Sequence, residues 1–324
     1  MKKKIIIFKR TAMLAGILLA VLSFYSVLRL SNGPKTAGNQ SAVGDRNNSN
    51  RQSKIDRQNL NILRVGWTAW ADAEVVSLMA KKVIEAHYNK EVELVMADIG
   101  IQYESVARGD LDIMLMAWLP RTHQQYWKKV WNRVNDLGPM YTGKLGWVVP
   151  DYVPIKEISS IVELKESNIS ENFGNKVQGI DPGSGLMQMS EKALKVYNLS
   201  NLELISASGA AMTAVLDRAI RENNWVVVTS WTPHWMFARY KLRFLEDPKK
   251  VFGGKEGIHA ITRIGLDQDH PKVVNLLSRY RLREEELADL LLKAQETSPQ
   301  IAVDNYLKTN KNKVKYWVTG EISE

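Results

Sequence analysis

From residue 62 onward, short apolar runs alternate with segments that have helical periodicity. The runs "ILRVGW" (62–67), "VELVMAD" (92–98) and "LDIMLMAW" (111–118) have the length and apolar content of buried strands. Amphipathic segments at 72–88 and 102–110 separate them and indicate helices. This order of strands and helices predicts an α/β fold with a mostly parallel sheet.

A second series of the same kind follows "KLGWVVPDYV" (144–153), a predicted strand that Pro150 interrupts. Its strands are predicted at "VQGID", "LELISAS" and "NWVVVTSW", and after "IHAITRIGL" the remaining elements are predicted helices. Two α/β units joined near residues 148 and 260 predict two lobes with a cleft between them. The expected boundaries are 61–148 with 258–324 for lobe I, and 149–257 for lobe II.

The N-terminus has the pattern of an export segment. A basic flank, "MKKKIIIFKR", precedes an uncharged apolar run at residues 11–28, which predicts a cytoplasmic N-terminus and an exported body. The run is long for a signal-peptide core and short for a spanning helix, so residues 1–33 are either a cleaved signal or an anchor. Its length favours an uncleaved anchor in the cytoplasmic membrane, with the body in the periplasm or at the cell surface. Residues 34–60 are rich in Asn, Ser, Gln and Gly, a composition typical of a flexible linker.

The formal charge of +9 belongs to these N-terminal segments. Residues 1–33 hold six basic side chains and no acidic one, residues 34–60 account for the other three charges, and the body is formally neutral. A neutral body argues against a nucleic-acid partner. The chain has no cysteine, which excludes disulfides, thiolate metal sites and a Cys nucleophile, and its five histidines lack HExxH spacing. Neither a metal ion nor a cofactor is expected.

Tryptophans follow several of the predicted strands. Trp67 and Trp70 follow the first strand, Trp118 ends the third, and Trp231 ends "NWVVVTSW". Ligands of open α/β sheets bind outside the carboxyl ends of strands, and the face of an indole attracts cations, above all a quaternary ammonium group. One of Trp67 and Trp70 is expected only to pack. Core or other structural roles are expected for Trp225, Trp127, Trp131, Trp147 and Trp317.

A glycine-rich turn supplies the complementary chemistry. "IDPGSGLMQMSEKAL" (180–194) leads from a turn into a helix, whose free backbone N–H groups and positive dipole end suit an anion such as a carboxylate. Together with the indoles, this turn predicts a zwitterionic ligand that carries a methylated cation at one end and a carboxylate at the other.

Five stretches, in order, resemble the substrate-binding proteins of glycine betaine/proline betaine ABC transporters. They are "GWTAWADAE", "ARGDLDIMLMAWLPRTH", "IDPGSGLM", "VVTSWTPHWMF" and "LEDPKKVFGGKEGIHAITR". The similarity extends over about residues 62–300. It implies a two-lobed periplasmic-binding-protein fold of type II that closes on a ligand in the cleft. It also implies three partners, namely glycine betaine or a similar betaine and the permease and ATPase subunits of an importer.

The resemblance also implies the binding residues. A cage of three tryptophans maps onto Trp70, Trp118 and Trp231. Contacts to the carboxylate map onto the side chain of His123 and the backbone N–H groups of Gly185 and Leu186. The chain departs from many Gram-positive members of the family in having no cysteine that could carry a lipid.

Other functions fit the sequence less well. Choline and carnitine are the alternative ligands, but choline lacks a carboxylate and the mapped cage offers no acidic partner for a lone cation. A hydrolase would draw on Asp181, Ser184, Ser190 and His234, yet no G-x-S-x-G turn is present, and His234 is instead expected to hold its loop by a hydrogen bond. A transcriptional regulator would need a helix-turn-helix where this chain has an apolar export segment.

Overall fold

The computed structural model describes residues 62–322. The predicted signal or anchor segment (1–33, with its apolar run at 11–28) and the predicted linker (34–60) lie outside the described residues. Within the described range, none of the helices combines the length and the apolar character needed to cross a membrane.

The described chain alternates strands and helices in the predicted order. The strands are β1 Ile62–Trp67, β2 Glu91–Met96, β3 Ile113–Leu119, β4 Val134–Pro150, β5 Lys176–Gln178, β6 Glu203–Ile205, β7 Val228–Thr232, β8 Leu242–Phe244 and β9 Glu256–Arg263. The α-helices are α1 Ala71–Tyr88, α2 Ile99–Arg108, α3 Gln124–Val130, α4 Ser167–Ser170, α5 Gly185–Val196, α6 Gly209–Glu222, α7 Trp235–Arg239, α8 Leu266–Asp269, α9 Pro271–Arg279, α10 Glu284–Glu296, α11 Pro299–Thr309 and α12 Lys311–Thr319. Two short 3-10 helices lie at Ile161–Lys165 and Glu171–Phe173.

Strand β4 connects two sheets and thereby two lobes. Residues 134–143 of β4 pair with β9 in the sheet ordered β2-β1-β3-β9-β4, which forms the first lobe. Residues 144–150 pair with β7 and β8 in the second sheet, which continues through β5 to β6. The hydrogen-bond partners of β4 therefore change between Gly143 and Lys144, and the strand carries the chain from the first lobe into the second.

The expectation of a mostly parallel sheet is wrong for the connecting strands. In the described chain, β1 runs parallel to β2 and β3, and β5 runs parallel to β6 and β7. Every pairing of β4 and β9 is antiparallel. The chain leaves the first lobe along β4 and returns along β9, so these neighbours run in opposite directions, a feature that apolar periodicity does not encode.

The C-terminal helices pack on the first lobe. The rings of Tyr280 and Trp317 meet edge to face with centroids 4.7 Å apart, and both side chains are fully buried. The hydroxyl of Tyr280 donates a hydrogen bond to the backbone oxygen of Val76 in α1, at 3.1 Å. These contacts tie the helices that follow β9 to the lobe in which the described chain begins.

The remaining tryptophans divide by burial. Trp147 and Trp317 are buried in the core, which agrees with the structural role expected for them. Trp225 lies before β7 rather than inside it, and it is only half-buried, packed against Phe173 with ring centroids 5.2 Å apart. Trp131 is 60 % exposed, so the structural role expected for it is not one in the core.

Candidate functional site

A cavity lies where the two lobes meet. The first lobe contributes residues at the start of α1, at the end of β3 and in the loop to α3. The second lobe contributes β7 and the turn into α5. The residues that line the cavity are Trp70, Trp118, Thr122, His123, Leu145, Ile180, Ser184, Gly185, Leu186 and Trp231. All six residues that the sequence resemblance assigns to the ligand therefore lie around a single cavity.

Three indoles come from three different elements. Trp70 is the N-cap residue of α1, Trp118 lies in β3, and Trp231 lies in β7. Each of these side chains is at least nine-tenths buried. Trp67, the last residue of β1, lines a neighbouring cavity instead. Trp70 is thus the member of that pair that faces the first cavity.

Gly143 leaves space that the indole of Trp118 occupies. A Cβ atom built on Gly143 would lie 2.4 Å from Cη2 of Trp118 and 2.4 Å from the backbone oxygen of Thr232. A side chain at this position in β4 would therefore push the indole of Trp118 out of place. The role of Gly143 could not be predicted from the sequence, because the indole that occupies the space above it comes from a different strand.

Two carboxylates hold the edges of two of these indoles. The indole N–H of Trp70 donates to Oδ1 of Asp181 at 2.8 Å, and that of Trp231 donates to Oδ1 of Asp72 at 3.1 Å. The hydroxyl of Tyr141 also donates to Asp72, at 2.8 Å. An acidic partner for the cage was not expected from the sequence. Asp72 lies two residues after Trp70 in the chain and Asp181 lies within "IDPGSGLM", but which indole each would meet depends on the tertiary fold.

Burial governs the ionisation of both carboxyl groups. Burial raises the pKa of Asp72, against the opposing effect of the hydrogen bonds from Tyr141 and Trp231. Burial also raises the pKa of Asp181, and the hydrogen bond from Trp70 opposes it. The negative charge of Asp98 raises the pKa of Asp181 further.

His123 is buried as a neutral hydrogen-bond donor. Its Nδ1 accepts the backbone N–H of Trp118 at 3.1 Å, so the proton of the neutral ring resides on Nε2. Burial lowers the pKa of His123 to about 3, which keeps the ring uncharged near neutral pH. The ring therefore offers one N–H group and no positive charge.

The loop that carries His123 is held by Glu256 of β9. The carboxylate of Glu256 accepts the backbone N–H of Arg121 at 2.6 Å and that of Thr122 at 3.2 Å. It also accepts the hydroxyl of Thr122. Glu256 is buried and lies in a stretch that the sequence analysis quoted, but its bonding to a loop 134 residues away gave no local signal.

The N-terminus of α5 faces this loop from the second lobe. Ser184 caps the helix by accepting the backbone N–H of Met187 at 3.2 Å. Gly185 and Leu186 are the first two helical residues, so no preceding turn supplies acceptors for their N–H groups. A Cβ atom on Gly185 would lie 2.5 Å from the backbone oxygen of Thr122 and 3.0 Å from Cδ2 of His123. Glycine is therefore required here by the close approach of the other lobe.

Each of the residues that a hydrolase would require forms a hydrogen bond with a different structural partner. Asp181 accepts from Trp70, and Ser184 caps α5. Ser190 accepts the indole N–H of Trp147 at 2.9 Å. His234 accepts the backbone N–H of Met236 at 3.2 Å, which confirms the prediction that it holds its loop by a hydrogen bond.

Comparisons with known proteins agree with this geometry. The sequence model of one family, the substrate binding domain of the ABC-type glycine betaine transport system, matches residues 62–309. The glycine betaine/carnitine transport binding protein GbuC of Listeria monocytogenes is 37 % identical over 158 residues, which are 48 % of this chain and 53 % of GbuC. The chain thus spans about half the length of this curated relative.

Two solved structures are similar along most of the described chain. Lactococcal OpuAC, in its closed-liganded conformation complexed with glycine betaine, is 33 % identical with a TM-score of 0.73, over 80 % of this chain and 99 % of that one. The glycine/betaine/L-proline-binding protein ProX of Borrelia burgdorferi is 32 % identical with a TM-score of 0.74, over 79 % and 96 %. These similarities confirm the predicted resemblance and the two-lobed periplasmic-binding-protein fold.

The buried histidines generate a prediction for stability against pH. Burial lowers the pKa of both His123 and His234 to about 3, from 6.5 for an unperturbed ring. Between these values the unfolded chain binds more protons, so the free energy of unfolding falls as the pH falls, by up to about 1.4 kcal/mol per unit for each ring. The variant His234→Asn keeps a capping acceptor but does not titrate. Between pH 7 and pH 5 we expect its free energy of unfolding to fall by about 2 kcal/mol less than that of the parent. Urea denaturation of both proteins measures the difference, and identical losses would contradict the assignment of a neutral, buried His234.

Proposed function

The chain belongs to the family of substrate-binding domains of ABC-type glycine betaine transport systems, whose sequence model spans residues 62–309, and from this premise we propose that it captures glycine betaine. Related quaternary-ammonium betaines are included in the proposal. The bound solute would be delivered to the permease and ATPase subunits of an ABC importer for osmoprotection. The protein acts in this role by binding, and no catalytic step is assigned to it.

The observation that carries the proposal is the absence of ionised side chains from the wall of the cavity. The ten residues that line it in the described chain include no Asp, Glu, Lys or Arg. A ligand with net charge would lose its hydration there without a counter-charge in the wall, and this loss is costly. A zwitterion has no net charge, and each of its ends needs only a matched set of partial charges.

The three indoles would hold the trimethylammonium end. Such a group cannot donate hydrogen bonds, so electrostatic attraction to the faces of Trp70, Trp118 and Trp231 is the contact available to it. The burial of these rings excludes water, which strengthens the attraction.

Neutral donors would hold the carboxylate end. The N–H groups of Gly185 and Leu186 lie at the positive end of the α5 dipole, and the Nε2–H of His123 supplies a third donor from the other lobe. Hydrogen bonds to a charged acceptor are stronger than neutral ones. The donors come from both lobes, so a carboxylate between them would favour lobe closure.

Choline and carnitine remain the alternative ligands. Choline presents the same cation but no carboxylate for the donors at α5 and His123. Carnitine carries both charged groups on a longer chain.

The cellular arrangement is proposed from the sequence. We place the binding lobes outside the cytoplasm, in the periplasm or at the cell surface. Residues 11–28 would anchor the chain in the cytoplasmic membrane, and residues 34–60 would serve as the linker. We keep 61–148 with 258–324 as lobe I and 149–257 as lobe II. The change of partners along β4 supports a division within this strand, although it falls between Gly143 and Lys144.

The cage generates a prediction for Trp118. Desolvated cation–π contacts are worth about 2 kcal/mol or more, so Trp118→Ala should weaken glycine betaine binding by about thirtyfold or more. Trp118→Phe should cost less because it keeps a π face. Isothermal titration calorimetry measures both, with Trp131→Ala as the matched control, since that indole is 60 % exposed and does not line the cavity. Unchanged affinity in Trp118→Ala would remove this indole from the cage.

The close approach at α5 generates a second prediction. Gly185→Ala would place a methyl group against the backbone of Thr122, and overpacking of this kind costs roughly 1 to 3 kcal/mol. We expect glycine betaine affinity to fall by about five- to a hundredfold. Gly183→Ala, in the same turn, is the matched control, because its Cβ would meet no atom within 4 Å. Equal effects of the two substitutions would show that closure does not bring Thr122 onto Gly185.

A further inference from the structure

The two indole–carboxylate hydrogen bonds of the cavity are reciprocal across the lobes. Trp70 of the first lobe donates its N–H to Asp181 of the second, at 2.8 Å. Trp231 of the second lobe donates its N–H to Asp72 of the first, at 3.1 Å. Each lobe thus supplies one indole and one acceptor, and both bonds join residues that lie more than 100 positions apart in the chain.

Each acceptor is fixed within its own lobe. Asp72 lies in the first turn of α1, where it also accepts the hydroxyl of Tyr141 from the first-lobe part of β4. Asp181 lies in the turn before α5, and its backbone oxygen accepts the N–H of Ser184, the cap of that helix. In the described chain neither carboxylate forms an ion pair with Lys or Arg. The indole N–H is therefore the partner that each carboxylate receives from the opposite lobe.

We propose that Asp72 and Asp181 are positioning residues that latch the lobes together through the indoles of Trp231 and Trp70. The proposal rests on the proposed function, since it concerns the same cavity. Each latch sets the rotation of one indole by fixing its N–H edge to the other lobe. Two faces of the cage take up their places only when the lobes meet, so assembly of the cation site and closure become one event.

The latches have a kinetic consequence. The bonds form only between closed lobes, so the loss of one should speed the release of ligand and leave the rate of capture by the open protein nearly unchanged. A merely structural role for the carboxylate would lower the amount of folded protein instead, without this division between the two rates.

Asp181 is the better residue to test, because Asp72 is almost fully buried and its removal risks misfolding. Asp181→Ala deletes the acceptor, whereas Asp181→Asn keeps an oxygen that can accept the indole N–H. In stopped-flow experiments with glycine betaine on the full chain, we expect Asp181→Ala to raise the dissociation rate by about tenfold or more. Asp181→Asn should stay within about threefold of the parent.

A double-mutant cycle isolates the latch. Trp70→Phe keeps a ring but has no N–H, so Asp181→Ala should change the dissociation rate by no more than about threefold in that background. If Asp181→Ala raises the dissociation rate by the same factor in the parent and in Trp70→Phe, the proposal is overturned. An Asp181→Asn variant that releases glycine betaine as fast as Asp181→Ala does would also overturn it.

A readout that does not need betaine binding separates this proposal from the proposed function. The chain has no cysteine, so Ile101→Cys and Ile155→Cys, at exposed positions in the first and second lobes, provide a unique pair for spin labels. We expect Asp181→Ala, but not Asp181→Asn, to shift the label distances toward longer values. If the parent fails to bind glycine betaine, the proposed function fails, and the label distances still decide the latch. Distances that Asp181→Ala leaves unaffected both without ligand and at saturating glycine betaine would overturn it.

Discussion

The contact between the loop at 120–123 and the first turn of α5 is the interaction on which the cavity depends. It lets a backbone oxygen and an imidazole from one lobe approach a helix N-terminus of the other so closely that only glycine fits at position 185. Glu256 fixes the loop by accepting two of its N–H groups, and Ser184 fixes the helix start. The donors for an anion are therefore positioned by backbone geometry and buried hydrogen bonds rather than by long, mobile side chains, which reduces the entropy lost on binding.

Around this contact the residues that line the cavity present partial charges, and two carboxyl groups lie behind the lining. Burial keeps His123 neutral, so it contributes a directed N–H group, and the α5 N-terminus contributes two more. The three indoles belong to the same lining, and the carboxylates of Asp72 and Asp181 meet the indoles of Trp231 and Trp70 at their N–H edges. This arrangement matches a compact zwitterion, because each end of such a ligand meets charge of opposite sign.

Much of this could be predicted from the sequence, and the limits have physical causes. The element order, the strand β1 and the helix α10 follow from apolar periodicity, and the placement of Trp70, Trp118 and Trp231 around one cavity agrees with the resemblance. The antiparallel direction of β4 and β9 could not be predicted, because periodicity reports burial and not direction. The roles of Asp72, Asp181 and Glu256 depend on contacts across lobes or between distant segments, which leave no local pattern in a single sequence.

The central claim is that the cavity selects a zwitterion by binding both of its ends. Calorimetric titration of the purified chain with glycine betaine and with choline tests it most directly, since the two share the cation and differ in the carboxylate. Charge-assisted hydrogen bonds are worth roughly 1.5 to 3 kcal/mol each, so the account predicts that glycine betaine binds at least tenfold more tightly than choline. Equal affinities, or tighter binding of choline, would contradict it.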